Sequence, residues 1–222
     1  MIDFHCHLLP ALDDGAAQIS ASLAMGRLLA DFGFRQVCCT PHSIRGYYDT
    51  IPEQVAGAVA ALQEELLAAD IPLQLLPGME YYLDEFFLEQ VELLPLGNSR
   101  SVLVEAPAQA VSEVVRAGLT KVLELGLTPL IAHPERSEVF SRPAFADVVG
   151  EGCLLQANLG SFTGFYGPQV QRRAYQLLRD GVYARFGSDG HDASGLSMIL
   201  PAAWEKIATN PAIARLAAAG LD

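Results

Sequence analysis

MIDFHCHLLPALDDG (residues 1–15) is the stretch of sequence on which the interpretation of this chain depends. Its apolar residues predict a short buried strand, yet that strand carries two histidines, His5 and His7. Residues i and i+2 of a strand point to the same face, so the two imidazoles face the same direction. Imidazole is a common ligand of Zn²⁺, Mn²⁺ and Fe, and the pair therefore predicts a shared metal ion.

The rest of the chain alternates between short apolar runs and amphipathic helical patterns. Several of the runs are almost continuously hydrophobic, which is typical of parallel strands covered on both faces. We predict an α/β fold in a single domain, residues 1–222, with a closed or nearly closed parallel barrel of seven strands; a doubly wound open sheet is the alternative. The predicted strands are IDFHC (2–6), RQVCCT (35–40), LQLLPG (73–78), SVLVEA (101–106), TPLIAH (128–133), CLLQANL (153–159) and VYARFGS (182–188), and the predicted helices lie near 18–32, 53–69, 84–92, 109–125, 138–149 and 168–180, with two more beyond Ser194.

Composition narrows the class of protein. The chain has 222 residues, of which 51% are hydrophobic and 18% charged, as expected of a folded globular protein. A net charge of −12 disfavours nucleic acid and anionic membranes as partners. No stretch approaches the roughly 20 apolar residues of a membrane span, and no secretory signal pattern is visible, so we expect a cytoplasmic location. The sequence does not indicate an oligomeric state.

The four cysteines are too few and too irregularly spaced for a disulfide scaffold. We interpret them as buried apolar side chains: Cys6, Cys38, Cys39 and Cys153.

The polar exceptions to the apolar strands fall at the carboxyl ends of those strands. All five histidines of the chain lie there, together with four acidic residues. This edge is where parallel α/β folds assemble their active sites. Nine such ligands are too many for one ion and suit two or three divalent ions; Mn, Fe and Zn all fit, with manganese favoured. The candidate ligands are His5, His7, Asp14, His42, Glu80, Glu105, His133, Asp189 and His191.

The charge of such a centre indicates the substrate class. Three divalent cations carry more positive charge than four carboxylates neutralise, so the site would stay cationic within an acidic protein. That surplus favours a phosphate ester, whose oxygens bridge metal ions. A bridging water, acidified toward hydroxide, would be the nucleophile.

At these residues the sequence resembles the PHP family of metal-dependent phosphoesterases. Within it, the chain is similar to the protein-tyrosine phosphatases of bacterial capsule and exopolysaccharide loci. The motifs follow one another along nearly the whole chain: DFHCHLLPALDDG (3–15), TPH (40–42), PGME (77–80), LVE (103–105), AHPER (132–136) and SDGH (188–191).

The resemblance implies a distorted (β/α)7 barrel with a trinuclear metal site. It also implies direct attack of metal-bound hydroxide on the phosphorus of a phosphotyrosine-containing protein. For this family, that protein would be a bacterial tyrosine kinase of polysaccharide export. Arg136 matches an arginine that contacts the substrate phosphate, which suits its planar, bidentate guanidinium. By motif matching, His5, His7, Glu80 and Asp189 would hold the first ion; Glu80, Glu105 and His133 the second; and Asp14, His42 and His191 the third.

One departure from the family pattern concerns the substrate phosphate. The family continues Ser-Asp-Ala-His-Asn and soon supplies another arginine, whereas SDGHDASGLSM (188–198) offers Asp192 and no arginine. Arg45 is a candidate for the missing phosphate contact. The equally weighted alternative is that Arg45 is a solvated arginine in a loop. Aromatic residues in EYYLDEFF (80–87) and GSFTGFYG (160–167) either stack on a phosphotyrosyl ring or pack helix against sheet.

Three other functions stay open at this point. Cys39 to Arg45 satisfies the C-x5-R spacing of cysteine-dependent phosphatases, but Pro41 removes an N–H donor that a phosphate-binding loop needs. A second alternative is a small-molecule phosphatase of the same family, such as one acting on histidinol phosphate. The third is a non-catalytic metal-binding or regulatory module, which the complete ligand set disfavours.

Overall fold

The computed structural model describes residues 1–107 and 109–221, and these residues form an α/β fold built on parallel strands. The strands form one sheet in the order β1-β2-β4 and another in the order β3-β5-β6-β7-β8-β9. Every pair of neighbouring strands in the two sheets runs parallel, as the apolar runs predicted. The strands are β1 (Ile2–Cys6), β2 (Gln36–Cys39), β3 (His42–Ser43), β4 (Gln74–Pro77), β5 (Glu80–Tyr82), β6 (Ser101–Glu105), β7 (Thr128–Ile131), β8 (Leu154–Asn158) and β9 (Tyr183–Gly187).

Helices follow most of the strands, as expected for parallel pairing. The longest described helices, α2 and α6, have 17 residues each, and none of the described helices is long and apolar enough to cross a membrane. Helix α6 packs against α1 and α4. The helices are α1 (Ile19–Phe32), α2 (Pro52–Ala68), α3 (Ser112–Glu124), α4 (Leu159–Thr163), α5 (Pro168–Arg179), α6 (Ala193–Thr209) and α7 (Pro211–Ala217).

Two of the seven predicted strands continue after an interruption, which is why the structure has nine segments. β2 resumes as β3 beyond Pro41, which has no N–H to donate to a ladder, and β4 resumes as β5 beyond Gly78. A Cβ at Gly78 would lie 2.5 Å from Cδ2 of Leu96, so the close packing there requires glycine. The two resumed segments pair with each other and bring His42 opposite Glu80.

A β-bulge in β1 positions the first pair of candidate metal ligands. Asp3 pairs with Val37 and Cys6 with Cys39, so β1 has one more residue than β2 between these pairs. Phe4 consequently packs into a small apolar cluster between the strands, whereas His5 and His7 both reach the candidate site.

Backbone hydrogen bonds connect the end of β1 to the segment that follows β9. The amide of Asp189 donates to the carbonyl of His5 at 2.8 Å, and the amide of His7 donates to the carbonyl of Gly190 at 2.9 Å. Below them, the buried carboxylate of Asp3 accepts a hydrogen bond from the amide of Ser188 at 2.8 Å. The first and last strands therefore present their carboxyl ends side by side.

Two predicted helices are wrong. Instead of a helix over 84–92 there is a single 3-10 turn at Phe86–Glu89, and the ammonium of Lys121 takes up carbonyl groups of that turn. Instead of a helix over 138–149 there are two 3-10 turns, Val139–Ser141 and Pro143–Phe145. Pro143 lacks the N–H that a continuous helix would need.

Helix α4 was not predicted. It is a short helix that begins directly after β8, and the Asn158 side chain caps it by accepting a hydrogen bond from the amide of Gly160 at 2.8 Å.

Candidate metal centre

His5 and His7 meet at the carboxyl end of β1. Both rings are fully buried, and their Nε2 atoms lie 3.0 Å apart. The same two atoms lie 3.1 and 3.3 Å from Oε2 of Glu80, and 3.3 and 3.4 Å from Oδ1 of Asp189. Two imidazoles and two carboxylates thus direct single ligand atoms at one small volume.

Glu80 lies at the centre of the candidate ligands. It is fully buried, and neither carboxylate oxygen has a well-formed hydrogen bond from the described residues. Burial alone would raise the pKa of Glu80, but the positive charge of His5 and the contacts from His133 and His42 outweigh it and hold the pKa well below its usual value. Four imidazoles approach its oxygens at 3.1 to 3.3 Å: His5, His7, His42 and His133.

The outer part of the cluster is more exposed. Oδ1 of Asp14 lies 3.5 Å from Nε2 of His42 and 3.5 Å from Nε2 of His191. Asp14 is 49% exposed, whereas the side chain of His42 is 13% exposed. Substrate therefore has access to the centre from this side.

Glu105 completes the set from the end of β6. Its carboxylate lies 3.4 Å from Nδ1 of His42, which in turn lies 3.1 Å from Glu80. Burial, together with the negative charge of Glu80, raises the pKa of Glu105 to about 7, although His133 and His42 lower it in part. Two acids this close need additional positive charge between them if both are to ionise.

The donor set fits divalent metal ions. Imidazole nitrogens and carboxylate oxygens converge without thiolates, and the oxygens of Glu80 and Nδ1 of His42 are buried without hydrogen-bond partners among the described residues. Four overlapping groups have ligand atoms within 4.8 Å of one another, and together they include all nine predicted ligands: His7, Asp14, His42 and His191; His5, His7 and Glu80; His5, His133 and Asp189; and His42, Glu80 and Glu105.

The geometry bears differently on the three predicted ligand sets. His5, His7, Glu80 and Asp189 contact one another as one group. Glu105, Glu80 and His42 form one of the ligand groups. His133 is not in that group, and it approaches the other carboxylate oxygen of Glu80, Oε1. Which ion each residue holds stays a prediction.

Arg136 lies beside the cluster in a 3-10 turn, Pro134–Arg136, directly after His133. Its guanidinium contacts the carboxylate of Asp189 and lies 4.3 Å from the ring centroid of Tyr166. Its side chain is 33% exposed, so it stays accessible to a ligand. Asn158 donates to the same carboxylate of Asp189 at 2.9 Å.

Backbone strain coincides with this region. His133 has φ +30° and Asp189 has φ +53°, which place two non-glycine residues in the left-handed region. Such strain persists where surrounding contacts enforce it and is frequent at functional sites.

Residues that the sequence interpretation missed orient the ligands. Asp13 Oδ2 lies 2.6 Å from Nδ1 of His7, and Gln156 Oε1 lies 3.2 Å from Nδ1 of His5. The buried Glu135 accepts hydrogen bonds from the amide of Asn158 at 3.0 Å and from the hydroxyl of Tyr183 at 2.9 Å. A sequence signal existed for one pair, because Gln156 and Asn158 stand two apart in an apolar strand, as His5 and His7 do.

The C-x5-R alternative is disfavoured by the structure. Burial raises the pKa of Cys39 far above its ordinary value, so its thiol stays protonated and is a poor nucleophile. Arg45 pairs with Glu89 and lies over the ring of Phe86, so its guanidinium is already engaged.

Comparison with known proteins places this geometry in a family. The family model for capsular polysaccharide synthesis proteins, CpsB/CapC, matches residues 1–208. The tyrosine-protein phosphatase YwqE of Bacillus subtilis is 34% identical over 197 residues, which cover 86% of this chain and 78% of YwqE. The tyrosine-protein phosphatase CpsB of Streptococcus pneumoniae is 29% identical over 219 residues, which cover 94% of this chain and 90% of that protein.

Solved structures agree. A crystal structure from work on YwqE of Bacillus subtilis and CpsB of Streptococcus pneumoniae, unique metal-dependent tyrosine phosphatases, superposes with a TM-score of 0.85 at 31% identity, covering 98% of this chain and 92% of that one. A histidinol phosphate phosphatase from Lactococcus lactis superposes with a TM-score of 0.51 at 13% identity over 91% of this chain, a similarity of fold alone. The chain therefore belongs to the CpsB/CapC family of capsular polysaccharide synthesis proteins.

Proposed function

We propose that this protein is a metal-dependent tyrosine-protein phosphatase. The observation that carries the proposal is the convergence of five imidazoles and four carboxylates in overlapping groups, with the cation Arg136 beside them. One of these carboxylates, Glu80, is buried and its oxygens have no hydrogen-bond partners among the described residues. Family membership, and relatives that are tyrosine-protein phosphatases, support this function over the histidinol phosphate phosphatase alternative.

The ions would be held as the overlapping ligand groups suggest, with Glu80 between two of them. Divalent ions held by these residues would supply positive charge for the phosphoryl oxygens and Lewis acidity for a water nucleophile. Two or three ions fit the nine ligands, and manganese is the ion we favour.

The chain's own residues complete the chemistry. Arg136 is placed to donate bidentate, charge-assisted hydrogen bonds to the phosphoryl group, and such bonds strengthen as negative charge develops on its oxygens. Tyr166 stacks under the guanidinium and keeps it oriented beside Asp189. Asp13 and Gln156 hold the rings of His7 and His5 by their Nδ1 atoms, which leaves Nε2 of each ring free for a metal ion.

The finer expectations belong to the same proposal. The substrate would be a phosphotyrosine-containing protein, and a bacterial tyrosine kinase of capsule or exopolysaccharide export suits the family. We further propose a cytoplasmic location and a single domain over residues 1–222. The hydrogen bonds between β1 and the segment after β9 support closure of the strands into a distorted (β/α)7 barrel of the PHP type.

The test compares two glutamates on one substrate. With Mn²⁺ present, wild-type protein should hydrolyse a phosphotyrosine peptide, and chelation should abolish hydrolysis until Mn²⁺ is restored. Glu80→Gln should lower kcat/KM by about 10³ or more because it removes a central anionic ligand. Glu89→Gln, at an exposed carboxylate in a neighbouring cleft, should change it less than twofold. Equal effects of the two variants, or faster turnover of histidinol phosphate than of the peptide, would contradict the proposal.

Cys39→Ser separates the metal mechanism from a thiolate mechanism. Because the Cys39 thiol is buried and protonated, the variant should keep the activity of the wild type, measured on the same peptide. Loss of all activity in a folded Cys39→Ser protein would support attack by the thiolate instead.

A further inference from the structure

Two clefts adjoin the candidate metal centre, and each has one partly exposed phenylalanine in its wall. The first, here called the Phe165 cleft, has a volume of about 200 Å³ and is lined by Phe165, Tyr166, Ile199, Arg136 and His191, among others. The second, the Phe86 cleft, has a volume of about 300 Å³ and lies near Arg45, Tyr48 and Phe86. Phe165 is 46% exposed and Phe86 is 40% exposed, so the two rings form a matched pair.

The turn after α4 presents Phe165 to the cleft. Helix α4 is capped at its C-terminus by Gly164, whose φ of +84° is a left-handed conformation that favours glycine. The neighbouring Tyr166 is fixed in place, because it packs so closely on Gly160 that a Cβ there would lie 2.7 Å from its ring. The rings of Phe165 and Tyr166 meet edge to face at 5.1 Å. Phe165 therefore projects from a turn whose next residue, Tyr166, is tightly packed.

The Phe165 cleft is continuous with the reacting centre. Arg136, Asp189 and His191 line it, so a phosphoryl group held by Arg136 beside the candidate metal ligands would lie next to this cleft. The buried side chains of Leu196 and Ile199 on α6 add apolar surface to the lining. A lining that combines a cation and candidate metal ligands with aromatic and aliphatic side chains suits a group that carries both an anion and an aromatic ring.

Size favours a single ring. A cavity of about 150 Å³ accepts one benzene molecule, so a cleft of about 200 Å³ has room for one phenyl group. We propose that the Phe165 cleft binds the ring of the phosphotyrosyl residue and that Phe165 is the residue that selects for it. This inference rests on the proposed function and names the part of the site that distinguishes an aryl from an alkyl phosphate.

The Phe86 cleft is less suited to the same ring. The guanidinium of Arg45 already covers the face of Phe86 at 4.8 Å and is itself paired with Glu89. None of the nine candidate ligands lines that cleft, and neither does Arg136. A ring bound there would lie farther from the phosphoryl group.

Calorimetry with two phosphonates tests the inference without turnover. Phenylphosphonate and methylphosphonate share the anionic group and differ in the ring, and each is titrated into Mn²⁺-loaded protein. Wild-type protein should bind phenylphosphonate more tightly. Phe165→Ala should weaken phenylphosphonate about tenfold and leave methylphosphonate within twofold, because an aromatic contact is lost and the phosphonate contacts are kept. Phe86→Ala, the matched control, should change neither.

Several outcomes would overturn the inference: equal affinity of the wild type for the two ligands, equal losses for both in Phe165→Ala, or a selective loss in Phe86→Ala. Phe165→Leu, which keeps apolar bulk but no ring, guards against a folding artefact and should fall between the wild type and Phe165→Ala. A phosphotyrosine peptide assayed in parallel separates the two claims. If the peptide is not hydrolysed while Phe165→Ala selectively loses phenylphosphonate, the proposed function fails and the ring site stands.

Discussion

The side-chain oxygen of Gln156 lies 3.2 Å from Nδ1 of His5. The orientation of this amide follows from its other contacts, since Oε1 also accepts from the amide of His133 at 3.1 Å and Nε2 donates to the carbonyl of Ala157 at 2.7 Å. Because an amide oxygen only accepts, Nδ1 of His5 must carry the proton. Nε2 is then the nitrogen that faces Glu80 and His7, and in the neutral ring it is the atom left to ligate a metal ion.

Replacing Gln156 with leucine should therefore weaken metal binding. The variant keeps a similar volume but releases the ring of His5 and the backbone of His133, and we expect a loss of about 10- to 100-fold in metal affinity. The measurement is the Mn²⁺ concentration that gives half-maximal activity, supported by metal content after gel filtration. Gln74→Leu, at an exposed position of β4, is the control and should leave both values unchanged. Wild-type affinity in Gln156→Leu would show that the ring needs no such anchor.

The same logic applies to His7, whose Nδ1 lies 2.6 Å from Asp13. Burial would raise the pKa of Asp13, but the hydrogen bond and charge of His7 outweigh it and lower the pKa to about 2, against an ordinary value of 3.8. The stabilisation is then present above about pH 4 and is lost as the pH falls from about 4 toward 2, because the unfolded state binds the proton first.

Asp13→Asn should reveal this stabilisation in metal-free protein. We expect the variant to lose about 2 kcal/mol of unfolding free energy at pH 6, and the difference from the wild type to shrink as the pH approaches 2. Urea unfolding at several pH values measures it. Asp31→Asn, at an exposed carboxylate on α1, should differ from the wild type by less than about 0.5 kcal/mol at every pH. A constant difference for Asp13→Asn across the range would mean that the ion pair is not its source.

The convergence of the candidate ligands could be predicted from the sequence because it depends on two simple geometric rules. Side chains two apart on a strand share a face, which links His5 to His7, and parallel strands end at one edge, which links them to Glu105 and His133. These relations hold whatever the details of the loops. The convergence of the nine candidate ligands therefore needed no knowledge of register.

Features that depend on tertiary packing could not be predicted. The bulge in β1 is visible only when Asp3 and Cys6 are paired with β2, and the close approach of Leu96 to Gly78 is visible only in the packed structure. Helix α4 is too short for a helical periodicity to be detected. The spacing of Gln156 from Asn158 was visible in the sequence. However, an amide side chain in a strand is commonly a structural hydrogen-bonding group, so its residue type gave no reason to assign Gln156 to the site.

Metal loading should stabilise the fold, because ions held by the converging candidate ligands bind the folded state and not the unfolded chain. A ligand at a free concentration of 100 times its dissociation constant adds about 2.7 kcal/mol to the free energy of unfolding. In a domain of this size, that corresponds to a rise in Tm of about 5–10 °C. Thermal unfolding with Mn²⁺ and with a chelator measures the shift. Glu80→Gln should lose most of it while Glu89→Gln keeps it, and an equal shift in both variants would place the stabilising ion elsewhere.

Arg136 and Arg45 offer the last comparison, since both are arginines beside a cleft but only Arg136 contacts a candidate metal ligand, Asp189. Lysine keeps the charge but lacks the planar fork that stacks on Tyr166 and binds two phosphoryl oxygens together. We expect Arg136→Lys to lower kcat on a phosphotyrosine peptide about 10²- to 10³-fold, as removal of a transition-state donor does elsewhere. Arg45→Lys should stay within twofold, because its guanidinium is engaged by Glu89. A large loss in Arg45→Lys with little in Arg136→Lys would instead identify Arg45 as the phosphate contact and would require its pair with Glu89 to open during turnover.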